Sequence, residues 1–395
     1  MIGPISWILL HLLASMVIQQ ASTMPLKQAP LVSLPETSSD TFSFIAYGDV
    51  QSNYRDMHSR LVSRMLQENP ALVLNSGDLS SDDGRHYDSV FYPPAEGLLN
   101  QIPFYPAPGN HDIAWGSPFS RYPYRVFFDR VYDHLGRQPQ NSHLLQPAGQ
   151  KLWYSFTYAG VLFISLDSNL FIDEGRYERT HRFRSYRGYQ QEQMIWLKNV
   201  LERSSQDSGI RAKFIFFHHS PFITTQTEPL PILELGGHPG HDELLIGKAM
   251  APSSGAREQY LLDLFRLHRV TAVFTGHEHY YERWREIIRA KGSVIHSLNW
   301  LVIGGGGVRP RGHPKYRPEE IEKVMDQEFY RDYIDRISRL DSSWTSELQH
   351  VYPHPESSEA DFSHYVVVSL KSSEIQFEVK DQEGRVRDRG RFNSR

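Results

Sequence analysis

Five short clusters of acidic, amide and imidazole side chains along the chain have the composition of a hydrolytic metal site. Hydrolysis of a phosphoester at neutral pH requires a nucleophilic oxygen, positive charge beside the phosphoryl oxygens and a proton for the leaving group. Two metal ions about 3.5–4 Å apart supply the first two, and a nearby histidine supplies the third. The clusters are 48–51 (GDVQ), 77–78 (GD), 109–112 (GNHD), 218–221 (HHSP) and 276–279 (GHEH).

Each cluster taken alone is weak support for such a site. A Gly-Asp pair after a strand is more often a turn in which the Asp bonds its own backbone, and this holds for Asp49 or Asp78 in isolation. His219 alone is more simply a hydrogen-bonded core or surface side chain. His277 and His279 are more informative, because side chains two residues apart on an extended segment project the same way. Five clusters, four of them directly after apolar segments, predict one shared site.

The apolar segments that must position these clusters predict an α/β fold. A strand at 42–47, a helix with apolar residues at helical spacing from 57 to 66, and a strand at 71–74 form a β-α-β unit. The carboxyl ends of strands in such sheets are where ligand sites assemble. The further predicted elements are strands at 161–166, 213–217, 270–274, 363–370 and 374–379, and helices at 190–201 and 257–267.

Composition excludes several classes of protein. With 395 residues, a net charge of -4 and a pI near 6.6, the chain lacks the concentrated basic face that nucleic-acid binding usually requires, so no nucleic-acid partner is predicted. The absence of cysteine removes thiolate nucleophiles, cysteine-based metal sites and disulfides. Any metal must therefore be held by histidine, carboxylate or amide groups.

The N-terminal apolar run at 5–18 is shorter than the roughly 20 residues that span a bilayer and predicts a signal peptide over 1–23. No basic residue precedes it, and an uncleaved anchor or a buried helix are the alternatives. A linker at 24–40 and a single catalytic domain at 41–395, with an insertion around 308–360, follow. We expect a secreted or periplasmic protein without stable membrane insertion after signal removal.

The order of the five clusters resembles the calcineurin-like metallophosphoesterase superfamily. Residues 276–283 (GHEHYYER) are especially similar to its purple acid phosphatase branch, and the resemblance covers roughly 42–303. It implies an α/β sandwich of two packed mixed β-sheets flanked by helices. It also implies cleavage of phosphomonoesters or phosphodiesters of small substrates, by in-line attack of a metal-bound hydroxide at a dinuclear centre.

The resemblance assigns a role to each matching residue. It implies that Asp78 bridges two metals and that His111 stabilises the transition state and donates the proton. The implied ligands are Asp49, Gln51 and His279 for one metal, and Asn110, His219 and His277 for the other. His219 is chosen over the adjacent His218 because the family pattern is His, any residue, Pro; His218 is the alternative.

Two departures from the purple enzymes bear on the metals. Those enzymes carry a tyrosine ligand three positions after the bridging aspartate, where this chain has Ser81. They lack a side-chain ligand at the position of Gln51, whose amide oxygen can coordinate. We therefore expect a protein that is not purple. Carboxylate, amide and imidazole ligands accept Mn, Fe or Zn, so the two ions are predicted without a single identity.

Other polar residues near the clusters have structural explanations as well as functional ones. Supporting roles behind the metal ligands are possible for Asp112, Glu278, Asp167 and Asn169. Segments 115–125 and 181–184 are candidates for the border of a cleft, and the glycines at 304–307 are interpreted as a turn near the site, since they lack the Lys of a nucleotide-binding loop. The competing functions are a metal-retaining scaffold without catalysis and a nucleotidase or nuclease of the same fold. The oligomeric state is not indicated.

Overall fold

Two β-sheets packed face to face make up the architecture of the computed structural model. The structure describes residues 32–33, 41–81, 86–112, 131, 133–137, 152–171, 186–222, 261–310, 341–352, 362–372 and 374–393. Residues Leu31–Arg395 form one compact unit. The larger sheet has eight strands and the smaller sheet six. The predicted sandwich of two mixed sheets flanked by helices is confirmed.

The strands of the larger sheet are β1 (Val32–Ser33), β5 (Tyr154–Tyr158), β6 (Val161–Ser165), β7 (Ala212–Phe217), β8 (Ala272–Thr275), β9 (Tyr281–Ala290), β10 (Ser293–Ile303) and β11 (Trp344–Tyr352). Those of the smaller sheet are β2 (Phe42–Tyr47), β3 (Leu72–Asn75), β4 (Phe104–Pro106), β12 (His364–Lys371), β13 (Glu374–Asp381) and β14 (Val386–Phe392). The α-helices are α1 (Met57–Gln67), α2 (Tyr92–Leu99), α3 (Asp133–Arg137), α4 (Tyr186–Gln206) and α5 (Leu261–Leu267).

The parallel strands that carry the clusters lie in the middle of the larger sheet and form one half of the smaller sheet. The larger sheet has the order β1-β5-β6-β7-β8-β10-β9-β11, in which β6, β7, β8 and β10 run parallel. The smaller sheet has the order β14-β13-β12-β2-β3-β4, in which β2, β3 and β4 run parallel. Parallel neighbours place their carboxyl ends along one edge of a sheet, so side chains that follow these strands converge there.

Strand β7 shows how an unbroken apolar run is buried on both faces. Phe214 and Phe216 belong to the core that includes residues of both sheets, whereas Ile215 and Phe217 belong to the core that includes α4 and α5. The alternation follows from the two-residue period of a strand. Between the sheets, the ring of Phe44 in β2 lies 5.0 Å from that of Phe214. Aromatic contacts of this kind join the two sheets.

The strand predicted at 42–47 is observed as β2 with the same bounds. The other predicted strands differ from the structure by one or two residues at their ends. The structure differs from the predicted linker at Val32–Ser33, which form β1 and pair in parallel with β5. Among the described strands, β4, β5, β9, β10, β11 and β14 were not predicted as such. Strand β11 lies within the predicted insertion and pairs with β9 at the edge of the larger sheet. In the part of the chain that the structure describes, no helix has the length and apolar character needed to cross a membrane.

In the described part of the chain, His58, His296 and His364 are buried, and no charged partner at hydrogen-bond distance is found for them there. Burial lowers the pKa of His58 to about 3 and the pKa values of His296 and His364 to about 4. In the unfolded chain a histidine has a pKa near 6.5, so the unfolded state takes up protons first as the pH falls. The stability that these neutral side chains contribute is complete above about pH 6.5 and is lost towards pH 4.

We expect His58→Phe to reduce the pH dependence of stability. The ring of His58 stacks on Phe91, with 5.5 Å between ring centroids, so a phenyl ring suits the position. Between pH 7 and pH 5 the variant should lose on the order of 2 kcal/mol less free energy of unfolding than the wild type, measured by urea denaturation. Phe91→Leu disturbs the same stack without removing a titrating group and should follow the wild type. Parallel pH curves for His58→Phe and wild type would contradict the prediction.

Candidate metal centre

All five clusters predicted from the sequence follow a strand, and both sheets contribute to one site. Asp49 and Gln51 follow β2, Asp78 follows β3, and Asn110 follows β4 in the smaller sheet. In the larger sheet the histidine pair 218–219 follows β7, and 277–279 follow β8. The carboxyl ends of these parallel strands face the same edge of the sandwich. The sandwich therefore brings together clusters that lie up to about 230 residues apart in sequence.

Strained backbone conformations coincide with the site. Asp49, Asp78 and His277 have φ values of 61°, 55° and 71°, which lie in the left-handed region that residues with a Cβ atom rarely adopt. Such conformations cost of order 1–3 kcal/mol each and persist where surrounding contacts impose them. Here the contacts are hydrogen bonds between neighbouring loops. The backbone N–H of Asp49 donates to the Gly77 carbonyl oxygen at 3.0 Å.

Backbone N–H groups and an amide hold the two buried carboxylates. The N–H of His277 donates to both oxygens of Asp49, at 3.1 Å and 2.9 Å. The N–H of His111 donates to Asp78 Oδ1 at 2.9 Å, and Gln51 Nε2 donates to Asp78 Oδ2 at 3.1 Å. Asp49 and Asp78 are at most 1% exposed. Each carboxylate is thus oriented by groups that belong to clusters other than its own.

Glycine is required at several motif positions because the carboxylates of Asp49 and Asp78 lie close to the backbone there. A Cβ atom on Gly276 or Gly304 would collide with Asp49 Oδ2, and one on Gly109 would collide with Asp78 Oδ1. The glycine run at 304–307 therefore lies against the site, where Gly306 N donates to the Gly48 carbonyl oxygen at 2.7 Å. Only glycine leaves room for both the backbone and the carboxylate at these positions.

Nitrogen and oxygen atoms from four clusters converge beside the carboxylates. His218 Nε2 lies 3.4 Å from Asp78 Oδ2 and 2.9 Å from Asn110 Oδ1. His277 Nδ1 lies 3.0 Å from Asn110 Oδ1 and 3.2 Å from His218 Nε2. Two groups have their potential ligand atoms within 4.8 Å of one another: Asp49, Asp78 and His218, and His218, His219 and His277. His279 Nε2 lies 3.6 Å from Asp49 Oδ1.

The adjacent histidines both lie in the site. His218, which the sequence left as the alternative ligand, belongs to both of these groups, whereas His219 belongs to one. Both side chains are buried. His111 is exposed, and its backbone rather than its ring holds Asp78. The structure thus brings every predicted site residue into one neighbourhood and adds His218 at its centre.

The electrostatics of these side chains favour positive charge at the site. Burial alone would raise the pKa of Asp78, but the charge and hydrogen bond of His218 hold that pKa well below its usual range. Burial would lower the pKa of His218, yet Asp78 and Asp49 raise it above its ordinary value. Two buried carboxylates thus favour positive charge beside them.

Asp112 connects two of the loops. Its carboxylate accepts hydrogen bonds from the backbone N–H groups of Asp78 at 2.8 Å, Ser80 at 3.0 Å and Gly109 at 2.8 Å. Burial raises its pKa, as does the charge of Asp78, while the bonds from Gly109 and Ser80 lower it. A single buried carboxyl group therefore sets the positions of the loop after β3 and the loop that carries Asn110.

Two serines and a glutamine that the sequence did not indicate also support the site. Ser168 Oγ lies within hydrogen-bond distance of the backbone and ring of the 218–219 pair. The Ser76 carbonyl oxygen bonds the ring of His218 at 3.0 Å. Gln193 holds Asp167 through the backbone N–H and carbonyl of that residue. The position of Ser168 directly after β6 was the one available signal, since the other clusters also follow strands.

Two further residues predicted to support the site lie near it, and two predicted segments lie outside the described residues. Asn169 donates to Asp167 Oδ1 at 3.0 Å and to the Pro108 carbonyl oxygen at 3.3 Å, next to the loop of Asn110. Glu278 is buried beside the two site histidines of its cluster. The segments 115–125 and 181–184, proposed from the sequence to border the cleft, lie outside the described residues.

The segment after His279 connects the two sheets. Tyr281 Oη donates to Asp388 Oδ2 at 2.7 Å, and Arg283 Nε donates to the same oxygen at 2.7 Å. Tyr281 and Arg283 lie in β9 of the larger sheet, and Asp388 lies in β14 of the smaller one. The residues that follow the histidines of the motif therefore fasten the larger sheet to the smaller near the site.

The donor set suits metal ions. It consists of carboxylate, amide and imidazole groups on rigid strand ends, which are ligands for divalent transition metals. Gln51 Oε1 is buried and has no hydrogen-bond partner among the described residues, as expected of an oxygen reserved for an ion. A two-sheet sandwich with such a donor set at its strand ends defines the class of metallophosphoesterases.

Comparison with known proteins agrees with this class. The chain belongs to the calcineurin-like phosphoesterase family, whose model matches residues 42–281, more than half of the chain. Uncharacterized proteins from two strains of Mycobacterium tuberculosis, CDC 1551 / Oshkosh and H37Rv, are each 30% identical over 226 residues, which cover 52% of this chain and 35% of theirs. The chain thus spans about a third of the length of the curated relatives that it matches.

A solved structure with a TM-score of 0.50 supports the fold, and a second one is similar at a lower score. A purple acid phosphatase from yellow lupin (Lupinus luteus) seeds matches 90% of this chain and 54% of its own, with a TM-score of 0.50 and 17% identity. A dimetal phosphatase from Danio rerio matches 89% of this chain and 98% of its own, with a TM-score of 0.46 and 14% identity.

Asp112→Leu should weaken metal binding without removing a ligand. The substitution leaves three buried N–H groups without their acceptor, so the loops of Asp78 and Asn110 lose their common anchor. We expect affinity for added Mn²⁺ or Zn²⁺ to fall about 10–100-fold, measured by calorimetric titration of the metal-free protein. Asp112→Asn keeps one oxygen acceptor and should fall between the leucine variant and the wild type. Wild-type affinity in Asp112→Leu would show that the anchor is dispensable.

Proposed function

We propose that the chain is a phosphoric ester hydrolase that cleaves small phosphomonoesters or phosphodiesters at a dinuclear metal centre. The observation that carries the proposal is the buried group of Asp49, Asp78 and His218, whose potential ligand atoms lie within 4.8 Å of one another. Burying two carboxylates so close together is unfavourable unless positive charge lies between them. Membership of the phosphoesterase family supports the same reaction.

The seven predicted ligands, with His218, divide into two sets around Asp78. Asp49, Gln51 and His279 would hold one ion, and Asp78 would bridge the two. The second ion would be held by Asn110, by His277 and by one histidine of the pair 218–219. The contacts of Asn110 Oδ1 with His218 and His277, at 2.9 Å and 3.0 Å, support the second set.

The side chains of the site would position the metal ions and supply a proton to the leaving group. Bound metal ions supply an activated water as nucleophile and charge that offsets the phosphoryl oxygens. Asp78 is held by His111 N–H and Gln51, so its position does not depend on an ion alone. The ring of His111, exposed at the site, is the proposed proton donor to the leaving group. We propose Mn, Fe or Zn as the metals, because the ligands include no thiolate and no phenolate.

Export to the periplasm or outside the cell is part of the proposal. It rests on the apolar run at 5–18 and the predicted signal peptide at 1–23, which lie outside the described residues. A small phosphoester substrate is proposed from the family, and the fold does not specify which ester is preferred.

Asp78→Ala should abolish hydrolysis together with metal binding. The wild type, supplied with Mn²⁺, Fe²⁺ or Zn²⁺, should hydrolyse 4-nitrophenyl phosphate, bis(4-nitrophenyl) phosphate or both. The variant should bind fewer than two metal equivalents, measured by elemental analysis, and lose at least about 100-fold in turnover, because the bridging charge is gone. Two retained equivalents with unchanged activity would refute the dinuclear centre. Metal binding by a wild type that hydrolyses neither ester would favour the scaffold function.

His111→Ala should separate proton donation from metal binding. Its ring is exposed, and its backbone N–H, which bonds Asp78, is retained in the variant. We expect turnover of 4-nitrophenyl phosphate to fall less than that of a substrate with a poorer leaving group, such as phenyl phosphate, for which the fall should be about 10²–10⁴-fold. Metal content should remain that of the wild type. A loss of metal would instead identify the ring as a ligand.

A further inference from the structure

The adjacent histidines 218 and 219 have opposite hydrogen-bond environments. His218 Nδ1 lies 3.0 Å from the Ser76 carbonyl oxygen. A carbonyl oxygen only accepts, so Nδ1 carries a hydrogen and donates it. With this hydrogen on Nδ1, a neutral His218 carries its lone pair on Nε2, which lies 2.9 Å from Asn110 Oδ1 and 3.4 Å from Asp78 Oδ2. This is the arrangement of a metal-binding histidine whose other nitrogen is tied to a carbonyl.

His219 has the reverse arrangement because of Ser168. Ser168 Oγ accepts the backbone N–H of His218 at 3.2 Å and the backbone N–H of His219 at 3.1 Å. These two bonds use both lone pairs of the hydroxyl oxygen, which leaves only its hydrogen. That hydrogen is directed at His219 Nδ1, 2.9 Å away. Nδ1 therefore accepts, and the ring hydrogen of His219 lies on Nε2.

Ser168 is held firmly enough to impose this choice. It begins the 3-10 turn Ser168–Phe171 after β6 and is fully buried. The residues on either side of it are fixed by hydrogen bonds. The backbone N–H of Asp167 donates to Gln193 Oε1 at 2.7 Å, and that of Asn169 donates to Asp167 Oδ1 at 3.1 Å. The hydroxyl is thus fixed against the two histidines by its own backbone.

We propose that His219 is not a metal ligand but a hydrogen-bond donor, which presents Nε2–H to a phosphoryl oxygen of the bound ester, while Ser168 is the positioning residue that sets its tautomer. His218 then completes the second metal set. The assignment rests on the proposed function for the identity of the acceptor. One ring nitrogen from each of His218, His219 and His277 lies within 4.8 Å of the others, which places the ring of His219 beside the metal centre.

A donor in this position is chemically useful because charge on the phosphoryl oxygens must be stabilised throughout the reaction. A neutral N–H on a buried ring offers a hydrogen bond of fixed direction without competing with the metals for a ligand site. The ring of His219 lies 4.6 Å from that of His277 and 4.7 Å from that of His218, measured between centroids. The ring of His219 is therefore next to two imidazoles that would hold the second ion.

Metal content distinguishes a donor from a ligand independently of catalysis. His218→Ala should reduce bound metal from two equivalents to one. His219→Leu should retain two equivalents while kcat/KM for the preferred ester falls about 10²–10³-fold, the loss expected for one donor to a charged oxygen. His219→Gln places an amide N–H near the position of Nε2, so it should retain two equivalents and recover part of the activity. Loss of an equivalent in His219→Leu, with two retained in His218→Ala, would overturn the assignment.

The tautomer can be read directly in the metal-loaded protein. With ¹⁵N-labelled histidine, and with His219→Gln to assign the signal, Nε2 of His219 should appear protonated and Nδ1 unprotonated. Ser168→Ala should change this pattern and lower kcat/KM at unchanged metal content, and Ser168→Thr, which restores a hydroxyl, should return both. A protonated Nδ1 in the wild type would overturn the proposal. Failure of the wild type to hydrolyse either test ester would instead refute the hydrolase function and leave the tautomer and metal count as measured.

Discussion

The repulsion between two buried carboxylates, Asp49 and Asp78, is the interaction on which the rest of the site depends. Neither is more than 1% exposed, so water does not solvate their charges. The protein compensates with backbone N–H groups, with the Gln51 amide and with His218, whose pKa the carboxylates raise. The left-handed backbone at both aspartates and the glycines packed against them follow from the need to bring these groups together.

The sandwich divides the donors by chemistry as well as by sheet. The smaller sheet supplies the oxygen donors Asp49, Gln51, Asp78 and Asn110, and the larger sheet supplies the imidazoles 218, 219, 277 and 279. The site is therefore complete only when the two sheets pack against each other in the observed orientation. The aromatic interface around Phe44 and the bonds of Tyr281 and Arg283 to Asp388 provide that packing. Substitutions far from the site can thus alter the distance between its two halves.

Much of the fold was accessible from the sequence because buried parallel strands are unbroken apolar runs. Strand β2 was predicted with its observed bounds, and the side chains predicted as ligands lie close together. Strands β9 and β11 were not predicted, because they mix charged with apolar residues and are stabilised by pairing with each other. The difference between His218 and His219 was equally inaccessible, since it depends on Ser76 and Ser168, which are 142 and 51 residues away. Motifs specify which side chains are present, whereas tertiary contacts decide which nitrogen carries the hydrogen.

The two departures from the purple enzymes act on different parts of the site. Ser81, at the position of the tyrosine ligand, lies 2.9 Å from His86 Nδ1, so its hydroxyl is engaged by a neighbouring imidazole. Gln51 instead donates from Nε2 to Asp78, and its second amide atom, Oε1, is buried there. Exchanging a phenolate for a neutral amide removes one negative charge from the donor set. A site with less negative charge has less preference for a trivalent ion, so a fixed ferric ion is less expected here than in the purple enzymes.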